Sequence, residues 1–172
     1  TLDNLKTPPA LVITDSQVFK RVAKDTPAEI PLTSFSILMA RHKGNLSAAV
    51  NGIVALKHLQ DNDLVLISEG CTHHRQCGDI GTVKLPAWLQ EKTGKTLQFT
   101  WTSGTEFPLD LTPYQLIVHC GGCMLNEREM QYRYRCAEEQ QIPMTNYGLC
   151  IAYTQGILKR ALGVFPELAE KL

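Results

Sequence analysis

Two short apolar runs, each closing on cysteine and histidine, constrain this chain more than anything else in it. Leu64-Val65-Leu66-Ile67 leads through Ser68-Glu69-Gly70 into Cys71-Thr72-His73, and Leu116-Ile117-Val118 leads into His119-Cys120-Gly121-Gly122-Cys123. Continuous apolar runs of this length, bounded by turn residues, read as strands buried on both faces, the pattern of a parallel sheet. Both cysteine clusters therefore fall at strand C-terminal ends. In an open parallel sheet those ends meet at a crevice where ligands bind, so residues far apart in sequence are expected to form one metal site there.

The rest of the chain supplies the alternation that such a sheet needs. Ala10 to Thr14 reads as a strand, followed by a short helix capped at Ser16 and limited by Pro27. Pro31-Leu32-Thr33 reads as a crossing to a second helix that starts near Ser34 or Ser36. Asn45 is a helix cap, with Leu46, Ala49, Val50, Ile53, Leu56 and Leu59 in one apolar stripe behind it. Further helices are expected from Pro86 to Lys92, ended by Gly94, from Asn126 to Glu139, and from Cys150 to Leu162. Strands are expected over residues 97–101, 115–118 and 142–146. The predicted fold is α/β: a layered, mainly parallel sheet flanked by helices, Rossmann-like. One strand and one helix do not make a domain, so residues 1–33 read as the end of a separate unit and 34–172 as the main domain.

Composition excludes several function classes. Lysine plus arginine and aspartate plus glutamate both number 17, so no global field recruits nucleic acid or anionic lipid. No apolar run approaches the roughly 18 residues of a membrane span, and no signal-peptide pattern opens the chain. A cytoplasmic protein is expected. Its six cysteines lack the spacing of a disulfide framework, and in a reducing compartment they favour a metal site. Neither Gly-x-x-x-x-Gly-Lys-Ser/Thr nor Gly-x-Gly-x-x-Gly occurs, which removes the two common nucleotide-binding loops.

Cys71, His73, His119, Cys120 and Cys123 put five metal donors within two turns. The two residues between Cys120 and Cys123 allow both thiolates to reach one centre, and Gly121-Gly122 lets the backbone fold around it. A helix beginning just after Cys123 adds positive potential that favours thiolate. Three cysteines without a fourth leave either a histidine or an open position to complete the centre. A redox dithiol at Cys120 and Cys123 is the competing thiol chemistry. Cys77 reads as a bystander, Cys136 and Cys150 as small buried thiols, and Glu69, Asp79 and Glu127 as solvated carboxylates more readily than as oxygen ligands.

Glu69-Gly70-Cys71-Thr72-His73-His74, Asp79-Ile80-Gly81, His119 through Asn126 and Thr145-Asn146-Tyr147-Gly148 together resemble the HydF family, the maturation GTPases of [FeFe]-hydrogenases. The family's Cys-x-His and His-Cys-x-x-Cys motifs are both met, and the likeness extends over Pro9 to Phe19 and Pro31 to Arg41. The family has a GTPase domain, a dimerisation domain and a cluster-binding domain. Residues 1–33 resemble the end of the second and residues 34–172 the third, so GTP hydrolysis is not expected of this segment. The resemblance implies a [4Fe-4S] cluster on Cys71, Cys120 and Cys123, with His73 and His119 as candidates to occupy or border an exchangeable iron site. It also implies a scaffold role: a diiron precursor carrying CO and cyanide, made with two radical-SAM maturases, is held and passed to apo-hydrogenase, with homodimerisation possible. From a different class, a zinc-stabilised interaction domain with a Cys3His site fits the same donors.

Overall fold

The computed structural model describes residues 5–71 and 79–172. Its centre is a four-stranded sheet of β3 (Leu64–Glu69), β4 (Gln98–Ser103), β5 (Leu116–His119) and β6 (Met144–Asn146). The spatial order is β4-β3-β5-β6 and every pair is parallel. Helices flank it, so the α/β expectation holds. The central strand β5 is buried at every position, and Val65 to Glu69 of β3 are too. Side chains there meet packed neighbours on both faces, which is why the two runs carry almost no polar alternation. The edge strand β4 is partly exposed throughout.

Ahead of this sheet, β1 (Val12–Thr14) pairs in parallel with β2 (Leu32–Ser34), joined through a 3₁₀ turn and α1 (Phe19–Asp25). The sequence reading treats residues 31–33 as a crossing, whereas the structure makes Leu32–Ser34 a buried strand. Only Leu32 is apolar in Leu32-Thr33-Ser34, so neither alternation nor an apolar run signals it; burial against the rest of the chain creates the strand. Phe19, Ala23 and Leu32 share one hydrophobic core with the main sheet's Val65, Leu66 and Ile117 and with Leu149 of the last helical region.

Local signals fix most helices. After α2 (Phe35–Lys43), Asn45 caps α3 (Leu46–Ala55) by accepting from the Ala48 amide at 3.0 Å, and the whole predicted stripe is buried. A π-helical turn over Ile80–Lys84, capped by Asp79, precedes α4 (Leu85–Thr93). Gly94 closes α4 in the left-handed conformation at φ 68°. Asn126 caps α5 (Glu127–Glu139) through the Glu129 amide at 2.8 Å. The last predicted helix starts earlier and is broken. Asn146 caps α6 (Tyr147–Thr154), Gly156 turns the chain at φ 74°, and α7 (Leu158–Ala161) and α8 (Pro166–Ala169) follow.

Candidate metal centre

The register of β3 and β5 brings the cysteine segments together. Ser68 stands opposite His119, and the Cys120 amide donates to the Ser68 carbonyl at 2.9 Å. Cys71 and Cys120 thus leave neighbouring strands at the same end of the sheet. The Cys120 sulfur accepts from two backbone amides, Gly70 at 3.0 Å and Gly122 at 3.4 Å. Amides aimed at sulfur stabilise thiolate, as they do in sulfur-ligated centres. Against them, burial pushes the Cys120 thiol up, with further upward contributions from Cys123 and Glu69. Cys123 is exposed and Cys71 is half-buried.

Backbone conformation makes this turn possible. Gly122 adopts φ 63°, and a Cβ there would sit 2.6 Å from the Met130 sulfur on α5. A glycine is favoured on both counts. From the other side, the Lys43 ammonium at the end of α2 donates to the carbonyls of Cys123 at 3.1 Å and Leu125 at 2.6 Å.

His119, placed by sequence in the turn, is the last residue of β5 and is completely buried. Its Nε2 lies 3.0 Å from Nη1 of Arg133, itself wholly buried on α5. A guanidinium only donates, so Nε2 must accept. Nδ1 therefore carries the hydrogen and donates to the Cys120 carbonyl at 2.7 Å. Both ring nitrogens, candidate metal donors by sequence, are committed to protein partners. Burial and then the Arg133 charge hold the imidazole neutral, with its pKa lowered to about 4 despite the carbonyl's opposing pull.

On the other flank, Glu69 is buried rather than solvated and accepts from the Tyr147 hydroxyl at 3.0 Å. Burial, then the neighbouring Glu69 and Cys120, raise the Tyr147 pKa and keep it protonated. Asp79 caps the π-helical turn through the Thr82 amide and hydroxyl. Cys136 is half-buried on α5, and Cys150 is fully buried with its thiol pushed up by burial. His73, His74 and Cys77 lie outside the described residues. Among the described residues no three His, Cys, Asp or Glu side chains converge on a point that would hold a single metal ion.

The donor chemistry nonetheless fits a sulfur-ligated group. One cysteine is backed by two amides, one is exposed, and one leaves the adjacent strand. Two family models match this chain: the hydrogen maturase F dimerization domain over residues 1–44 and the hydrogen maturase F tetramerization domain over residues 47–164. The second alone covers more than half of the sequence. The chain belongs to the hydrogen maturase F family. Both matched domains are self-association domains, not catalytic ones, and the family's work is hydrogenase maturation. The two matches meet between α2 and α3, so Lys43 stands in the first and the turn it holds in the second. No curated protein matches the chain. No helix among the described residues is long and apolar enough to cross a membrane.

Sequence reasoning missed Arg133, Lys43 and Tyr147. Arg133 sits four residues after Glu129 and reads as half of an exposed helical pair. Nothing local marks it as buried beneath a strand. Tyr147 was visible only as part of the Thr145-to-Gly148 likeness.

Proposed function

We propose that this chain is the iron–sulfur scaffold and carrier portion of a hydrogen maturase F, working in the cytoplasm as a self-associating assembly. Cys71, Cys120 and Cys123 are its [4Fe-4S] ligands. The observation that carries this reading is the Cys120 sulfur, held between the Gly70 and Gly122 amides at the end of β5 beside the chain leaving β3. A bound cluster with one iron not held by cysteine supplies a position at which a bridging ligand of the cargo attaches reversibly. The cargo is the diiron precursor carrying CO and cyanide, received with the help of the two radical-SAM maturases and delivered to apo-hydrogenase.

The protein's own part is to fix the cysteines. Gly122 turns the chain so that its amide faces the Cys120 sulfur, Lys43 holds the backbone beyond Cys123, and the exposed side of Cys123 leaves the centre open to a visiting molecule. Nothing in this set of roles is catalytic.

Anaerobic reconstitution of the chain with iron and sulfide tests the reading, with metal and sulfide analysis and the EPR spectrum of the reduced sample. About four iron and four sulfide per chain with a reducible signal is the expected result. One tightly bound zinc and no iron would overturn it in favour of a zinc-stabilised interaction domain.

A further inference from the structure

Arg133 is the largest fully buried side chain among the described residues, and it is charged. Burial of a guanidinium costs several kcal/mol unless its donors are satisfied. Here they are spread over four groups: Nε to Glu129 Oε1 at 2.8 Å, Nη1 to Ser68 Oγ at 3.3 Å and His119 Nε2 at 3.0 Å, and Nη2 to the Gly104 carbonyl at 2.9 Å. The Phe107 ring lies against it, 5.1 Å from centroid to guanidinium carbon. Arg133 thereby ties α5, both central strands and the segment after β4 to one point.

Two of its partners flank the cysteine turn. Ser68 is the register partner of His119, and its carbonyl takes the Cys120 amide. His119 in turn holds the Cys120 carbonyl. The peptide groups on both sides of the Cys120 Cα are thus fixed by Ser68 and His119, and Arg133 touches both.

We propose that Arg133 is a positioning residue for the cysteine turn: it holds His119 with its hydrogen on Nδ1, and the resulting bond to the Cys120 carbonyl keeps the sulfur facing the Gly70 and Gly122 amides. His119 is then an internal strut and not a donor to the centre. The purpose of this arrangement, though not its geometry, rests on the reading of Cys120 as a cluster ligand. Lysine cannot replace arginine, because one ammonium on a flexible stem does not span Glu129, Ser68, His119 and Gly104 together.

The test uses the 172-residue chain, first without metal. Long-range proton–nitrogen spectra of histidine-labelled protein, assigned for His119 with an H119N variant, are expected to show the hydrogen on Nδ1 in the native chain and a mixed or reversed tautomer in R133M and R133K. Iodoacetamide labelling followed by mass spectrometry is expected to modify Cys120 about tenfold faster in both variants, the order of effect of losing a charged hydrogen bond, with exposed Cys123 unaffected. On reconstitution both variants are expected to bind iron about 10-fold to 100-fold more weakly, the usual effect of losing a group that orients a metal ligand. H119N, which keeps an N–H donor in place of Nδ1, is expected to load iron better than H119L. If R133M does not fold, R133K and the two His119 variants carry the same comparisons. A native tautomer with its hydrogen on Nε2, unchanged Cys120 labelling in R133K, or equal iron loss in H119N and H119L would each overturn the proposal. Should the native chain take up no iron at all, the cluster reading fails by itself, while the tautomer and labelling results still decide the role of Arg133.

Discussion

Two glycines with nearly the same positive φ separate strain from crowding. Gly94 at φ 68° ends α4 with nothing within 4 Å of where a Cβ would be; Gly122 at φ 63° would place that atom 2.6 Å from the Met130 sulfur. In both, alanine costs roughly 1–2 kcal/mol for the left-handed conformation, offset by about 0.4–1 kcal/mol of lost unfolded-state entropy. Gly94→Ala should therefore destabilise by about 1 kcal/mol or less. Gly122→Ala adds an overpacking cost of about 1–3 kcal/mol, because Met130 is only 3 % exposed and has little room to move. Its total is about 2–4 kcal/mol. With a urea slope near 2 kcal/mol/M, the unfolding midpoint should fall by about 1–2 M for Gly122→Ala and by less than about 0.5 M for Gly94→Ala. Equilibrium urea unfolding followed by circular dichroism makes the measurement. Equal midpoints for the two variants would refute the reasoning, since the predicted gap comes from the sulfur contact alone.

Three further outcomes are expected. His119, neutral in the folded chain down to about pH 4, takes a proton near 6.5 once unfolded, so acid favours the unfolded state: stability should fall as pH drops from about 6.5 to 4, by about 3 kcal/mol in total, and in urea titrations the native chain's advantage over H119N should shrink by that amount across the window. Arg160 donates to the carbonyls of Ala23 at 2.5 Å, Thr26 at 2.8 Å and Pro27 at 2.7 Å, satisfying the end of α1; Arg160→Met should cost about 2 kcal/mol in the same unfolding assay and speed proteolytic cleavage between α1 and β2. Serine at Cys71, Cys120 or Cys123 should prevent stable cluster assembly on reconstitution while serine at Cys136 leaves the iron and sulfide content unchanged; a normal content in Cys71→Ser would remove Cys71 from the ligand set.

What the sequence made legible is what local chemistry decides. The Asn45 cap and the stripe behind it define α3 without help from the rest of the chain, and β5 announces itself because a strand covered on both faces has no use for polar alternation. Register then carries the reading further, since two strands ending in cysteine, once paired in parallel, must put Cys71 and Cys120 at one end. The illegible parts depend on contacts remote in sequence. Leu32-Thr33-Ser34 is a strand because it is buried beside β1, and two of its three side chains are polar. Asn146 caps α6 directly after β6, where Tyr147-Gly148 gives no helical signal of its own. His119 and Arg133 are fourteen residues apart on different elements, and neither type is commonly buried; only the packing of α5 under β3 and β5 reveals that each makes the other's burial tolerable.

The two cysteines of the turn are held in unlike ways, and the difference follows from the cations that hold them. At Cys120, a planar guanidinium lies behind a buried imidazole that holds the Cys120 carbonyl, and the Cys120 amide is tied to β3. At Cys123, an ammonium on a flexible, strongly hydrated stem reaches two carbonyls near the surface, an arrangement that constrains direction less and is more weakened by water. The turn consequently has a fixed end where strand hydrogen bonding stops and a compliant end where solvent begins. That compliance has a definite source. Lys43 closes α2, in the dimerization-matched segment, so its ammonium joins that segment to the backbone at Cys123, while the Cys120 peptide groups are held by Ser68 and His119 of the sheet. Of the two ends, only the exposed one is hydrogen-bonded to the dimerization-matched segment by this route.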